Sequence, residues 1–145
     1  MKSLRVVLDT NVLVAALRSG SGASRQILLA LRDERFSALV SVPLFMEYEA
    51  TLKRAALLRE TKLSLRDIDE LLDIVAACCE QTDIHFSWRP QLRDPKDEMV
   101  LETALNSRAD ALVTCNRTDF EAACANLGVE LLSPSQFLDR LRKRS

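Results

Sequence analysis

Arg5-Val6-Val7-Leu8-Asp9-Thr10-Asn11-Val12 decides the fold. Val6-Val7-Leu8 is continuously apolar rather than alternating, the pattern of a strand buried on both faces of a parallel sheet. Val12 to Leu17 then continues as a short helix after the turn Asp9-Thr10-Asn11. A carboxylate at the end of a buried strand loses hydration and needs compensation. Asp9 therefore either caps the helix that follows, assisted by Thr10 and Asn11, or ligates a metal, and this segment leaves the two readings even.

The rest of the chain repeats the alternation. Arg18-Ser19-Gly20-Ser21-Gly22 reads as a flexible loop and a candidate lid or substrate contact, followed from Ser24 to Asp33 by a helix carrying Ile27, Leu28 and Leu31 on one face. Phe36 to Val42 is a second strand. Pro43 suits the first turn of the next helix, which the pattern extends to about Leu58. Ser64-Leu65-Arg66-Asp67 resembles an N-terminal cap and opens a helix to about Cys79, and Asp83 to Phe86 reads as an additional edge strand. Asp94-Pro95-Lys96-Asp97 has the order N-cap, proline, second and third helical positions. Ala111 to Thr114 is a strand, Phe120 to Leu127 a helix stopped by Gly128, and Val129 to Leu132 a last strand before the capping box Ser133 to Gln136. Strand alternating with helix predicts a three-layer α/β/α fold with a short central parallel sheet, in one domain over residues 1–145.

The bulk properties agree. A chain of 145 residues, 48% hydrophobic and 28% charged, suits a single core. No apolar run reaches the roughly 20 residues of a membrane span, and Met1-Lys2-Ser3-Leu4-Arg5 leads into a strand rather than a signal-peptide core, so a cytoplasmic protein without membrane contact is expected. Cysteines 78, 79, 115 and 124 form no Cys-x-x-Cys pair and His85 is isolated, which argues for reduced, buried thiols rather than zinc. Net charge is −1, so any nucleic-acid contact rests on local basic clusters around Arg18 to Arg35, Lys53 to Lys62 and Arg140 to Arg144. Aromatics total 5%, and Trp88 and Tyr48 read as packing rather than base-stacking residues.

Four acids lie at the edges of apolar segments, where an α/β sheet gathers side chains into one crevice. Asp97 shares a helix face with Val100, Leu101 and Ala104 and so points inward, whereas Glu98 and Glu102 read as an exposed face. Periodicity does not separate Glu47 from Glu49. A surface pair between Glu49 and Lys53 leaves Glu47 as the inward candidate. Thr114 and Asn116 offer neutral oxygens after a strand, and Asp119 either binds metal, directly or through water, or caps the helix entered at Phe120. Such oxygen ligands suit Mg²⁺ or Mn²⁺.

Four segments in order resemble the motifs of the PIN-domain family, and more narrowly the VapC-like ribonucleases of bacterial toxin–antitoxin systems. They are Val7-Leu8-Asp9-Thr10-Asn11-Val12, Val42-Pro43-Leu44-Phe45-Met46-Glu47-Tyr48, Asp94-Pro95-Lys96-Asp97 with Leu101 and Ala104, and Leu112-Val113-Thr114. The resemblance covers nearly the whole chain. It implies Asp9, Glu47 and Asp97 as catalytic acids and metal ligands; Asp119 is a further candidate ligand by its proximity only, and Asn11, Thr114 and Asn116 are supporting residues. It also implies a Mg²⁺- or Mn²⁺-dependent endoribonuclease, an RNA substrate, a cognate antitoxin covering the crevice, and a homodimer. The family often places an acid two residues after the threonine matching Thr114, and this chain has Asn116 there. That departure motivates an alternative, a PIN-like module that binds RNA or metal with weak or no cleavage. A phosphoryl-transfer domain with Asp9 as nucleophile ranks last, because Asp9-Thr10-Asn11 lacks the second aspartate such enzymes carry.

Overall fold

A computed structural model of the protein describes residues 3–87 and 92–144. Five strands, β1 (Arg5–Leu8), β2 (Ser37–Val40), β3 (Cys79–Gln81), β4 (Ala111–Val113) and β5 (Leu131–Leu132), form one sheet in the order β3-β2-β1-β4-β5. Every pairing is parallel, with Val6 opposite Ala38 on one side and Ala111 on the other. Eight helices complete the described fold: α1 (Thr10–Arg18), α2 (Ala23–Arg32), α3 (Val42–Leu52), α4 (Ala55–Thr61), α5 (Leu65–Cys78), α6 (Pro95–Ser107), α7 (Glu121–Leu127) and α8 (Pro134–Lys143). The expected three-layer α/β/α architecture is the one observed. Val6, Val7 and Leu8 are 0–2% exposed, as their continuous run requires.

The winding creates the site. From β1 the chain builds outward through β2 to β3, then crosses back to place β4 on the other side of β1. This reversal opens a crevice beyond the carboxyl ends of β1 and β4, where ligands bind in such sheets. Asp9 and Thr114 are the first residues past those ends. Their amides continue the ladder, Asp9 to the Val113 carbonyl at 2.8 Å and Thr114 to that of Leu132 at 3.0 Å.

Local signals hold at several helix ends. Ser64 and Ser133 form reciprocal capping boxes with Asp67 and Gln136, and Asp94 Oδ1 accepts from the Lys96 amide at 2.9 Å. Gly128 ends α7 with φ +71°, a backbone that side chains resist.

Three expectations are corrected. The helix predicted from Pro43 to Leu58 breaks at Lys53-Arg54 into α3 and α4. Leu52 and Leu57, both buried, would diverge by about 140° on one continuous helix, and the break turns both inward. The extra edge strand lies at Cys79–Gln81 rather than 83–86. There, the amides of His85 and Phe86 donate to Asn106 Oδ1 at 2.8 and 2.9 Å, laying this stretch against α6. Glu98 and Glu102, expected on an exposed face, are 4% and 6% exposed. The Leu92 amide, ahead of α6, donates to Glu98 Oε1 at 2.7 Å.

The thiols are all free, and Cys115 is exposed rather than buried. Burial pushes Cys79 up to about 12 and Cys124 to about 11, which keeps both protonated and unreactive. No helix among the described residues is long and apolar enough to cross a membrane.

Candidate active site

The crevice is a cleft of about 450 Å³ lined by Asp9, Asn11, Glu47, Asp97, Asn116 and Asp119, together with Asp94, Arg18, Arg54 and Lys96. Residues more than a hundred positions apart in the chain thus face one space. Of the acids expected there, all four line it.

Asp9 is 6% exposed. Burial raises its pKa above the ordinary 3.8, opposed chiefly by the Thr114 hydroxyl, which donates to Oδ2 at 2.7 Å. The amides of Thr10 and Asn11 also lower it, without making a capping hydrogen bond of regular geometry. Asp9 occupies the N-cap position of α1 without a side-chain capping hydrogen bond, and its carboxylate is held by Thr114, just past β4.

Thr114 is the hub of this corner. Its Oγ1 also accepts from the Asn116 amide at 3.0 Å and from Asn11 Nδ2 at 3.3 Å, while Asn11 Oδ1 accepts from the Cys115 amide at 3.1 Å. Thr114 itself does not line the cleft. Its role is to orient Asp9 and the turn after β4.

Asp97 sits in the first turn of α6, half-buried. Burial, then the charges of Asp9, Asp94, Asp119 and Glu98, push its pKa up to about 6. Every charge acting on it is another carboxylate, a repulsion that a cation in the cleft relieves. Glu47 projects from α3 with its side chain 12% exposed, and Oε1 accepts from Thr51 Oγ1 at 2.8 Å and faces Lys96 Nζ at 3.9 Å. Glu49 turns away to Lys53 at 3.2 Å, and this separates the two glutamates that periodicity left together.

Asp119 lies in a 3-10 turn, Arg117–Asp119, rather than capping α7, and accepts from Asn116 Nδ2 at 2.6 Å. Asn116, at the fourth acidic position of the family pattern, is therefore joined to Asp119. Among the described residues, no three His, Cys, Asp or Glu side chains close to metal-ligating distance. The acids face one another across the cleft without converging on a point, with Glu47 held aside by Thr51 and Lys96.

Two residues that brace the acids through hydrogen bonds, Thr51 and Tyr48, were not read in that role from sequence. Thr51 contacts Glu47 from one helical turn on, a spacing that was available. Tyr48 is fully buried, with its hydroxyl donating to the Leu8 carbonyl at 2.5 Å, so α3 clasps the residue preceding Asp9. Of the Arg18–Gly22 loop, Arg18 alone lines the cleft. His85 lies outside it, and Trp88 falls outside the described residues.

The sequence pattern of the PIN domain matches residues 5–118. The chain belongs to the PIN-domain family. A solved chain described as VapBC2 from Rickettsia felis, bound to a DNA fragment from their promoter, superposes with a TM-score of 0.63 at 16% identity, over 90% of this chain and 98% of that one. At that identity the likeness is one of fold. No curated protein matches.

Proposed function

We propose that the protein is a Mg²⁺- or Mn²⁺-dependent endoribonuclease acting as the toxin of a toxin–antitoxin pair. The observation that carries this reading is the meeting of Asp9, Glu47, Asp97 and Asp119 in one cleft at the switch point of the sheet. The donors fit a hard divalent cation: they are all oxygen, they carry excess negative charge, and burial together with the charges of Asp9, Asp94, Asp119 and Glu98 raises Asp97. Asp9, Glu47 and Asp97 would hold it, with Asp119 and Asn116 alongside.

A cation bound there supplies Lewis-acid activation of water and stabilises charge on the phosphodiester. Thr114 keeps the Asp9 carboxylate aimed at the cleft. Arg18, Arg54 and Lys96 on the cleft wall attract the phosphate backbone. No aromatic side chain lines the cleft among the described residues, so contact runs through phosphate and sugar rather than base stacking.

The toxin assignment, the antitoxin and RNA as substrate rest on the motif resemblance and on the likeness in fold to a chain of the VapBC2 structure. Exposed Val42 and Met46, flanking an apolar hollow with Phe45 and Ala76, are of the kind that supports protein contacts, including the expected homodimer.

The second reading, a module that binds without cutting, is favoured by Asn116, which spends its side chain on Asp119. Incubating the protein with structured RNA, with and without Mn²⁺, separates the two. Mn²⁺-dependent cleavage lost in Asp9→Asn and Asp97→Asn supports the nuclease; binding without cleavage by the wild type supports the module. Cleavage that persists in both variants removes the proposed site.

A further inference from the structure

Resting on the metal-nuclease reading above, we propose that Lys96 is an internal counter-cation, paired with Glu47 before a divalent ion binds and transferred to an RNA phosphate once the ion takes Glu47. The Glu47 carboxylate is nearly buried, and a buried carboxylate requires compensation. Here that comes from the Thr51 hydroxyl at 2.8 Å and the Lys96 ammonium at 3.9 Å, both on the same oxygen, Oε1.

Lys96 is built to move at one end only. Its amide is tied to Asp94 Oδ1 at 2.9 Å in the first turn of α6, one residue before Asp97, so its root is fixed beside the acids. Its side chain remains 49% exposed, and the flexible stem lets the ammonium swing within the cleft that both residues line. A divalent ion at Glu47 and an ammonium on the same carboxylate are like charges at short range. With a divalent ion held at Glu47, the Lys96 ammonium would leave Oε1, and an anion in the cleft would be its natural new partner.

Arg18, another cation on the wall, is differently placed, since it is ion-paired with Glu60 at 2.6 Å. Releasing Lys96 couples the two ligands. The metal strengthens phosphate binding, and by reciprocity phosphate strengthens metal binding.

The test compares wild type with Lys96→Gln, Lys96→Arg and Asp97→Asn. Calorimetric titration with Mn²⁺ alone should show Lys96→Gln binding about three- to tenfold tighter, because one positive charge is removed beside the ion. Lys96→Arg should stay near wild type. Anisotropy of a fluorescein-labelled ten-nucleotide RNA, with Ca²⁺ substituted so that the RNA is held rather than turned over, should show a Ca²⁺-dependent gain in wild type. That gain should shrink in Lys96→Gln and return in Lys96→Arg. Unchanged or weaker Mn²⁺ affinity in Lys96→Gln, or an undiminished Ca²⁺-dependent gain, overturns the inference alone. Mn²⁺ affinity unaffected by Asp97→Asn overturns the metal reading beneath it, and this inference with it.

Discussion

Thr114 donates its hydroxyl to Asp9 Oδ2 at 2.7 Å, joining the ends of β4 and β1 across 105 positions of sequence. The same oxygen accepts from Asn116 and Asn11, so one side chain organises a carboxylate and the turn beside it. Thr114→Val keeps the shape and removes all three bonds. Stability should fall by about 1–3 kcal/mol, read as a melting temperature lower by several degrees, and Mn²⁺ affinity should fall with it. Thr114→Ser should restore both.

Asp97 gives a pH signature. Its folded pKa of about 6 lies above the ordinary 3.8, so between those values the folded state holds the extra proton. The carboxylate therefore costs stability at neutral pH, and the cost disappears as pH falls through 6 toward 4. Metal-free Asp97→Asn should melt above wild type at pH 7, by about 1 kcal/mol after solvent screening or roughly 2–4 °C. The difference should close by pH 4. Melting curves in chelator across this range measure it, and a wild type that is the more stable at pH 7 would contradict the account.

Tyr48 acts through the backbone. Its buried hydroxyl holds the Leu8 carbonyl at 2.5 Å, the peptide that leads into Asp9. Tyr48→Phe should cost about 1–2 kcal/mol by removing that partner. Because Glu47 precedes Tyr48 on α3, Mn²⁺ binding should also weaken while the fold survives. Denaturant unfolding and calorimetry on one preparation separate the two effects.

Asn116→Asp tests the fourth position. Asn116 Nδ2 lies 2.6 Å from Asp119 Oδ2, and an aspartate there would set its carboxylate against that of Asp119. Without metal the variant should lose about 1 kcal/mol at pH 7. Mn²⁺ should reverse the loss and tighten its binding relative to wild type. If the wild type binds RNA without cutting it, cleavage gained by this variant would assign the deficit to Asn116.

Much of this was legible in the chain because it was local. The run Val6-Val7-Leu8 could be buried on both faces only in a covered sheet. Ser64, Asp94 and Ser133 satisfy helix amides within three residues, and Gly128 supplies a backbone conformation on its own. Asp9 and Asp97 were readable for the same reason, one at a strand end and the other in phase with Val100 and Leu101.

What sequence did not contain was the work of distant neighbours. Glu98 and Glu102 carry the pattern of a solvated face, yet both are buried, with the Leu92 amide on Glu98 and the amides of His85 and Phe86 on Asn106 of the same helix. The break at Lys53-Arg54 has no glycine or proline to announce it and arises because Leu52 and Leu57 must both reach the core. Glu47 and Glu49 flank one apolar stripe equally. Their roles part only when Thr51 and Lys96 close on one and Lys53 on the other. Periodicity and capping report the energy of a segment against its own backbone, and they determined the parallel sheet, most of the helices and the inward placement of Asp9 and Asp97. Which carboxylates share a cleft, and which cation faces them, depends on desolvation and charge between segments that meet only after the sheet has formed, and that was decided by tertiary structure.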